Sequence, residues 1–126
     1  MVLIGITDGD TKEDMEYICR KILTTRMWDN VDGSKRWCRS LKEMDYEVLL
    51  VSQFTLYSKF KGTKLDFHNA MTPEKAKEFF NNFADYMRSE YKQDKVFLGA
   101  FGEYMNVNLT NDGPVTIIAD SKLRDL

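Results

Sequence analysis

The sequence predicts one α+β domain over residues 1–126, with a mostly antiparallel sheet or barrel and two helices. Three observations lead there. Two segments carry apolar residues at helical spacing. Five or six short segments are rich in β-branched and aromatic residues. The two kinds do not alternate strictly, as repeated βαβ units would.

The elements follow in order. Met1-Val2-Leu3-Ile4-Gly5-Ile6 is a buried-strand pattern with no lead-in, which hints at something missing upstream. Thr11 with Asp14 three residues on resembles a capping box, and Met15, Ile18, Cys19, Ile22 and Leu23 then mark a helix over 12–23. Thr24 to Trp28 reads as a short strand. Asn30 to Ser34, centred on Asp32-Gly33, reads as a turn, with Trp37-Cys38 continuing beyond it. Tyr46 to Tyr57 is the strongest strand, and its apolar run at 48–51 implies burial on both faces. Ser58 to Asp66 reads as a polar loop. The second helix starts with Thr72 as N-cap and Pro73 at its first position, and Ala76, Phe79, Phe80, Phe83 and Met87 form its apolar face. Val96 to Leu98, Tyr104 to Leu109 and Val115 to Ala119 complete the expected strands, with Asn111 to Pro114 as a turn.

Composition limits the function classes. With 43% hydrophobic, 13% aromatic and 30% charged residues, the chain is globular rather than disordered. At 126 residues it buries roughly two-thirds of its unfolded surface, so the core needs no staple. The net charge of −2 means that any binding of phosphates must be local. The longest apolar runs, Val2–Ile4 and Val48–Val51, fall far short of the roughly 20 residues that cross a bilayer. Asp8 and Asp10 follow the start without a basic region, which is unlike a signal peptide. Cys19, Cys38 and the single histidine, His68, are too few and too scattered for zinc or a disulfide framework. The expectation is a cytoplasmic protein without metal, cofactor or membrane span. Asp8, Asp10, Glu13 and Asp14 read as an acidic solvated turn favoured by the helix dipole.

Four places are candidates for chemistry. Ser52, Gln53, Phe54 and Thr55 put polar groups at the end of a buried strand, where backbone N–H groups and hydroxyls face a ligand or the strand simply emerges to solvent. Gly113-Pro114 is a rigid pair able to aim two carbonyls, or a plain hairpin turn. Lys59, Lys61 and Lys64 suit phosphates or solvent; Phe60 and Phe67 suit base stacking or the core. His68 suits acid–base work, with only Asp66 nearby in sequence.

Taken together these residues resemble the D-aminoacyl-tRNA deacylases. Ser52-Gln53-Phe54-Thr55-Leu56 is similar to that family's SQFTL signature, and Asn111-Asp112-Gly113-Pro114-Val115-Thr116 to its Gly–Pro signature. Lys61-Gly62-Thr63-Lys64, Asp66-Phe67-His68 with Ala70, Gly99, Phe101-Gly102, Met105, Lys21-Ile22-Leu23 and Arg26 fit the segments around them. The resemblance runs along essentially the whole chain. The intact SQFT element sets it apart from a sister group of animal deacylases.

The resemblance implies a homodimeric hydrolase that acts on D-aminoacyl-tRNA, and on glycyl-tRNA, in chiral proofreading that recycles tRNA. It implies a cis Gly113-Pro114 pair contributed to the partner's site, where the carbonyls reject L side chains. It implies that Ser52, Gln53, Phe54 and Thr55 form the catalytic floor, that Ala70, Phe101 and Met105 help bind substrate, and that backbone N–H groups and the tRNA 2′-hydroxyl do most of the chemistry. Lys59, Lys61 and Lys64 fall to tRNA binding. Leu65 stands where the family usually has proline, and Ala100 where lysine is common. Family members also carry two strands ahead of the one matching Met1 to Ile6, so the chain reads as incomplete at its start. That motivates an alternative, an impaired scaffold that binds nucleic acid or a partner. A serine or threonine hydrolase using Ser52, Thr55 and His68 is a third reading.

Overall fold

A computed structural model describes residues 1–124. β1 (Val2–Ile4) leads into α1 (Lys12–Thr24). β2 (Arg26–Trp28) and β3 (Arg39–Ser40) pair antiparallel, and α2 (Leu41–Met44) precedes β4 (Val48–Ser52). A 3₁₀ turn (Phe54–Tyr57) gives way to β5 (Lys59–Lys61) and β6 (Lys64–Asp66). α3 (Pro73–Glu90) and β7 (Val96–Leu98) complete the regular elements among the described residues.

The chain is α+β as expected, but its main sheet is neither mostly antiparallel nor a barrel. It has three strands in the order β1-β4-β7, all parallel, with Val2 beside Leu50 and Leu50 beside Leu98. Parallel neighbours need crossovers, and α1 and α3 lie within them. The apolar run of β4 fits this role, because a central parallel strand is covered on both faces. The antiparallel expectation came from counting Tyr104–Leu109 and Val115–Ala119 as strands. Both segments run without a ladder here, and Tyr104 and Ile118 are almost wholly exposed. A β-prone composition describes a fit to a pleated, half-buried surface and does not supply a pairing partner.

Smaller corrections have local causes. The strand expected over Tyr46–Tyr57 stops at Ser52, and the chain coils into the 3₁₀ turn. The expected polar loop at Ser58–Asp66 is a hairpin: Gly62 opens its two-residue turn at φ 65°, the demand of a II′ turn. α2 was not expected, although Ser40 and Glu43 form a reciprocal cap, with Glu43 N–H donating to Ser40 Oγ at 3.2 Å and Ser40 N–H to Glu43 Oε1 at 3.1 Å. The strand past the Asp32-Gly33 turn begins at Arg39 rather than Trp37, since Trp37 sits at φ 54°.

The core lies between the sheet and the two long helices. Met15, Cys19 and Leu23 of α1 meet Phe80, Phe83 and Met87 of α3 over Ile4, Val48, Leu50 and Val96. Leu50 and Met87 are fully buried. Truncating either to Ala costs about 2–5 kcal/mol, by lost transfer energy plus the cavity left behind. Burial pushes the Cys19 thiol up to about 12, so it behaves as an apolar filler. No described helix is long and apolar enough to cross a membrane.

The expected solvated acidic turn is in part buried. Asp10 and Asp14 are largely shielded and hold the end of the described chain. Lys122 Nζ lies 3.0 Å from Asp14 Oδ1 and 3.3 Å from Asp10 Oδ1, and Arg124 Nη2 lies 3.1 Å from Asp14 Oδ1. Thr11 N–H donates to Asp14 Oδ2 at 2.8 Å. Burial opposes the charge on Asp14, but the Thr11 amide and Lys122 outweigh it and hold the carboxyl well below its ordinary 3.8. A carboxylate depressed by folding stabilises the native state above its unfolded pKa, and that contribution drains away as pH falls below it. Chemical denaturation should therefore show stability dropping as pH falls from about 4 toward 2. Asp14→Asn should flatten that limb and cost about 1–3 kcal/mol at neutral pH. An unchanged acid limb in the variant would assign the acid sensitivity elsewhere.

Candidate active site

The site grows from the end of β4. Ser52 is the strand's last residue and sits beside Ile4 in the parallel register. Gln53 N–H donates to Ile4 O at 2.8 Å, and the backbone then turns at φ −140°, ψ 88° into the 3₁₀ turn. Leu56 N–H closes on Gln53 O at 3.2 Å, and Ser58 N–H on Thr55 O at 3.0 Å. The first N–H groups of a helical turn have no partner inside it, and here they belong to Phe54 and Thr55.

The turn can lie against β1 because position 5 is glycine. A Cβ on Gly5 would stand 2.9 Å from Leu56 Cβ and 3.2 Å from the Tyr57 ring. Gly5 is thus a positioning residue that sequence patterning did not mark; a glycine directly after a buried strand was the available signal.

Gln53 and Phe54 line a groove of about 520 Å³ with Leu3, Val51, Tyr104 and Met105. Met105 packs against Gly99, whose added Cβ would meet its thioether at 3.3 Å, and Ala100 N–H points at Met105 Sδ from 3.3 Å. Gln53 Nε2 donates to Thr55 Oγ1 at 2.5 Å, which ties the two polar side chains together. Phe54 meets Phe67 edge-on, with ring centroids 5.1 Å apart. Phe67 is placed by the segment after β6, where Ala70 bridges Thr7, Met71 N–H donates to Ile6 O at 2.9 Å, and Thr7 Oγ1 donates to Asn69 O. Phe101 turns toward the core, 5.8 Å from the Phe80 ring.

The remaining candidates lie apart from the groove. Gly113-Pro114 is a cis pair in an exposed turn and does not line it. Lys59, Lys61 and Lys64 are on the hairpin. His68 Nδ1 contacts the Asp66 carboxylate, and Asp66 Oδ2 accepts from the His68 amide at 3.3 Å. The histidine beside it, with Lys61 Nζ at 3.6 Å, holds the Asp66 carboxyl below the ordinary carboxylate range. His68 is thus engaged with Asp66, and no hydrogen bond joins it to Ser52 or Thr55 among the described contacts. Nothing here activates a side-chain hydroxyl in the manner of a Ser–His pair.

Comparison with known proteins gives the groove a context. A family model described as D-Tyr-tRNA(Tyr) deacylase matches residues 1–120. D-aminoacyl-tRNA deacylase 1 of Leishmania major is 58% identical over 123 residues, covering 98% of this chain and 81% of that protein. D-aminoacyl-tRNA deacylase of Dictyostelium discoideum is 55% identical over 122 residues, covering 97% and 81%. Among solved structures, the c-Myc DNA Unwinding Element Binding Protein superposes with a TM-score of 0.86 at 45% identity, over 91% of this chain and 76% of that one.

The close approach at Gly5 makes a test of how the turn is held. Gly5→Ala should cost about 1–3 kcal/mol in denaturant unfolding, because the added methyl meets the turn's own side chains rather than open space. Amide resonances of residues 53–57 should shift more than those of α3. Unperturbed resonances there would show that the contact is slack.

Proposed function

Because the chain belongs to the D-Tyr-tRNA(Tyr) deacylase family, we propose that it hydrolyses D-aminoacyl-tRNA, and glycyl-tRNA, as a single domain acting in the cytoplasm. The observation that carries the chemistry is the strand-end turn, whose leading amides are those of Phe54 and Thr55 and whose first residues, Gln53 and Phe54, line an apolar groove. Water adds its oxygen to the ester carbonyl carbon while the tRNA 2′-hydroxyl helps to relay the proton. The carbonyl oxygen gains negative charge, which oriented N–H donors stabilise more than they stabilise the neutral ester. The ester C–O bond breaks, one proton of the water goes to the departing ribose 3′-oxygen, the other is released to solvent, and the amino acid departs as its carboxylate. The scheme uses no cofactor or metal.

Selectivity falls to Gly113 and Pro114 acting from a second copy of the chain. Their carbonyls crowd the place of an L side chain and leave room for D residues and for glycine. Support for a homodimer comes from the segment over 104–119, which has no ladder partner among the described residues and leaves Val115, Ile117 and Ile118 exposed. Contiguous apolar surface of that kind marks an interaction site. Met105 lines the substrate groove, Ala70 pairs with Thr7 to hold the segment that carries Phe67, Phe101 packs on the core, and Lys59, Lys61 and Lys64 meet the tRNA backbone.

Ester loss from D-Tyr-tRNA and L-Tyr-tRNA tests this directly. The D form should be cleared at least 100-fold faster, because a clash that shuts out the L side chain acts on one enantiomer alone. Equal rates, or tRNA binding without turnover, would favour an inert scaffold. Thr55→Ala should retain activity within about tenfold, since a hydroxyl nucleophile would instead be lost by a factor of a thousand or more. Sedimentation of the unmodified chain should give a dimer.

A further inference from the structure

The β5–β6 hairpin sorts its side chains by chemistry. Lys59 faces Asp66, Phe60 faces Leu65 and Lys61 faces Lys64 across the two strands. Side chains alternate along a strand, so Phe60 and Leu65 share one face while the three lysines and Asp66 share the other. The Lys61–Asp66 ion pair at 3.6 Å lies on that second face. The apolar face is left open: Phe60 is 83% exposed and Leu65 47%. Two residues past Leu65 comes Phe67, which is edge-on to Phe54 of the strand-end turn. Exposed apolar side chains thus run from Phe60 through Leu65 and Phe67 to Phe54, and end at the groove.

An open apolar row backed by three lysines on the other face of a thin ribbon suits one class of partner. Single-stranded nucleic acid offers a flat apolar face on every base and a charge on every linkage, and aromatic platforms with nearby cations bind it without reading sequence. A two-stranded ribbon is one backbone layer thick. Lysines on its reverse side are still within a Debye length, about 10 Å at 0.1 M salt, of a strand lying on the front. A protein partner would gain from the apolar row but would leave the excess of lysine over Asp66 unmatched.

Resting on the deacylase reading above, we propose that the apolar face of the hairpin is a stacking track for the unpaired 3′ nucleotides that precede the terminal adenosine of tRNA, with Phe60 as its outer platform. The ester then enters the groove at the inner end of the track, by Phe54. Phe60 is a positioning residue for the substrate's approach and takes no part in the bond change.

The test is anisotropy of a fluorescein-labelled ACCA oligoribonucleotide on the full chain. Phe60→Ala should weaken binding roughly tenfold, and Phe60→Trp should restore it. In a Phe60→Trp chain that also carries Trp28→Phe and Trp37→Phe, fluorescence of the introduced tryptophan should be quenched by unlabelled ACCA, a response expected of stacking and not of a merely structural role. Lys61→Ala with Lys64→Ala should lower the slope of log affinity against log salt by about one or more. Unchanged affinity in Phe60→Ala would overturn the proposal, as would tryptophan emission indifferent to RNA. A sedimentation shift from dimer to monomer in Phe60→Ala would also overturn it, by giving the face to a second copy. Should the chain bind ACCA through Phe60 yet leave D-Tyr-tRNA intact, the track stands and the deacylase reading falls.

Discussion

β4 is bonded along both edges, to β1 on one side and β7 on the other, with Leu50 fully buried between them. That pairing fixes where the strand ends. Ser52 and Gln53 emerge at one place because the Gln53 amide makes the last bond to β1, on the Ile4 carbonyl, and the backbone then turns away into the 3₁₀ turn. Gly5 lets the following turn fold back against β1, and the Thr7–Ala70 bridge brings the next segment to the same corner. Phe54, Phe67 and Met105 therefore converge from three separate stretches of chain. Displacing β4 would scatter all of them, whereas changes on the hairpin leave the corner standing.

This arrangement also explains why the polar side chains of the corner need no triad. Gln53 and Thr55 satisfy each other, and His68 is committed to Asp66. What stays unspent is backbone: the leading amides of a short turn whose place is set by the sheet. Preorganised amides cost no reorganisation when charge develops on an ester oxygen. The groove beside them supplies the low-dielectric wall that strengthens such contacts.

Much of this was legible in the residues, and the misses have physical causes. Helix starts were readable at Thr11 and Thr72 because capping and an N1 proline are local chemistry. The Ser52–Thr55 corner was readable because polar residues break a run that must be buried. The sheet's direction was not readable from the late segments: Tyr104–Leu109 alternates as a strand should, yet pairing depends on a partner outside the segment. The better clue lay in Val48–Val51, whose unbroken apolar run already suited a central parallel strand. Gly62 and Ser40 held short-range signals of a turn and a cap. The polar content around Gly62 masked its hairpin, and α2 is a single turn. The burial of Asp10 and Asp14 depends on Lys122 and Arg124, more than a hundred positions away, and no local pattern reports that.

The chain's charge separates along the same lines. Asp10 and Asp14, near the start of α1, are held by Lys122 and Arg124, so these two present little free negative field toward solvent. Three lysines gather instead on one face of a hairpin that bears a single aspartate in its strands. A net charge of −2 is therefore compatible with a polyanionic substrate. Attraction between exposed charges decays within about a Debye length, so an approaching tRNA end responds to the nearest patch rather than to the sum over the molecule. On this geometry the patch backs the apolar row from the hairpin's other face, and the row leads to the turn. Long-range attraction, stacking and ester placement act in that order along one path.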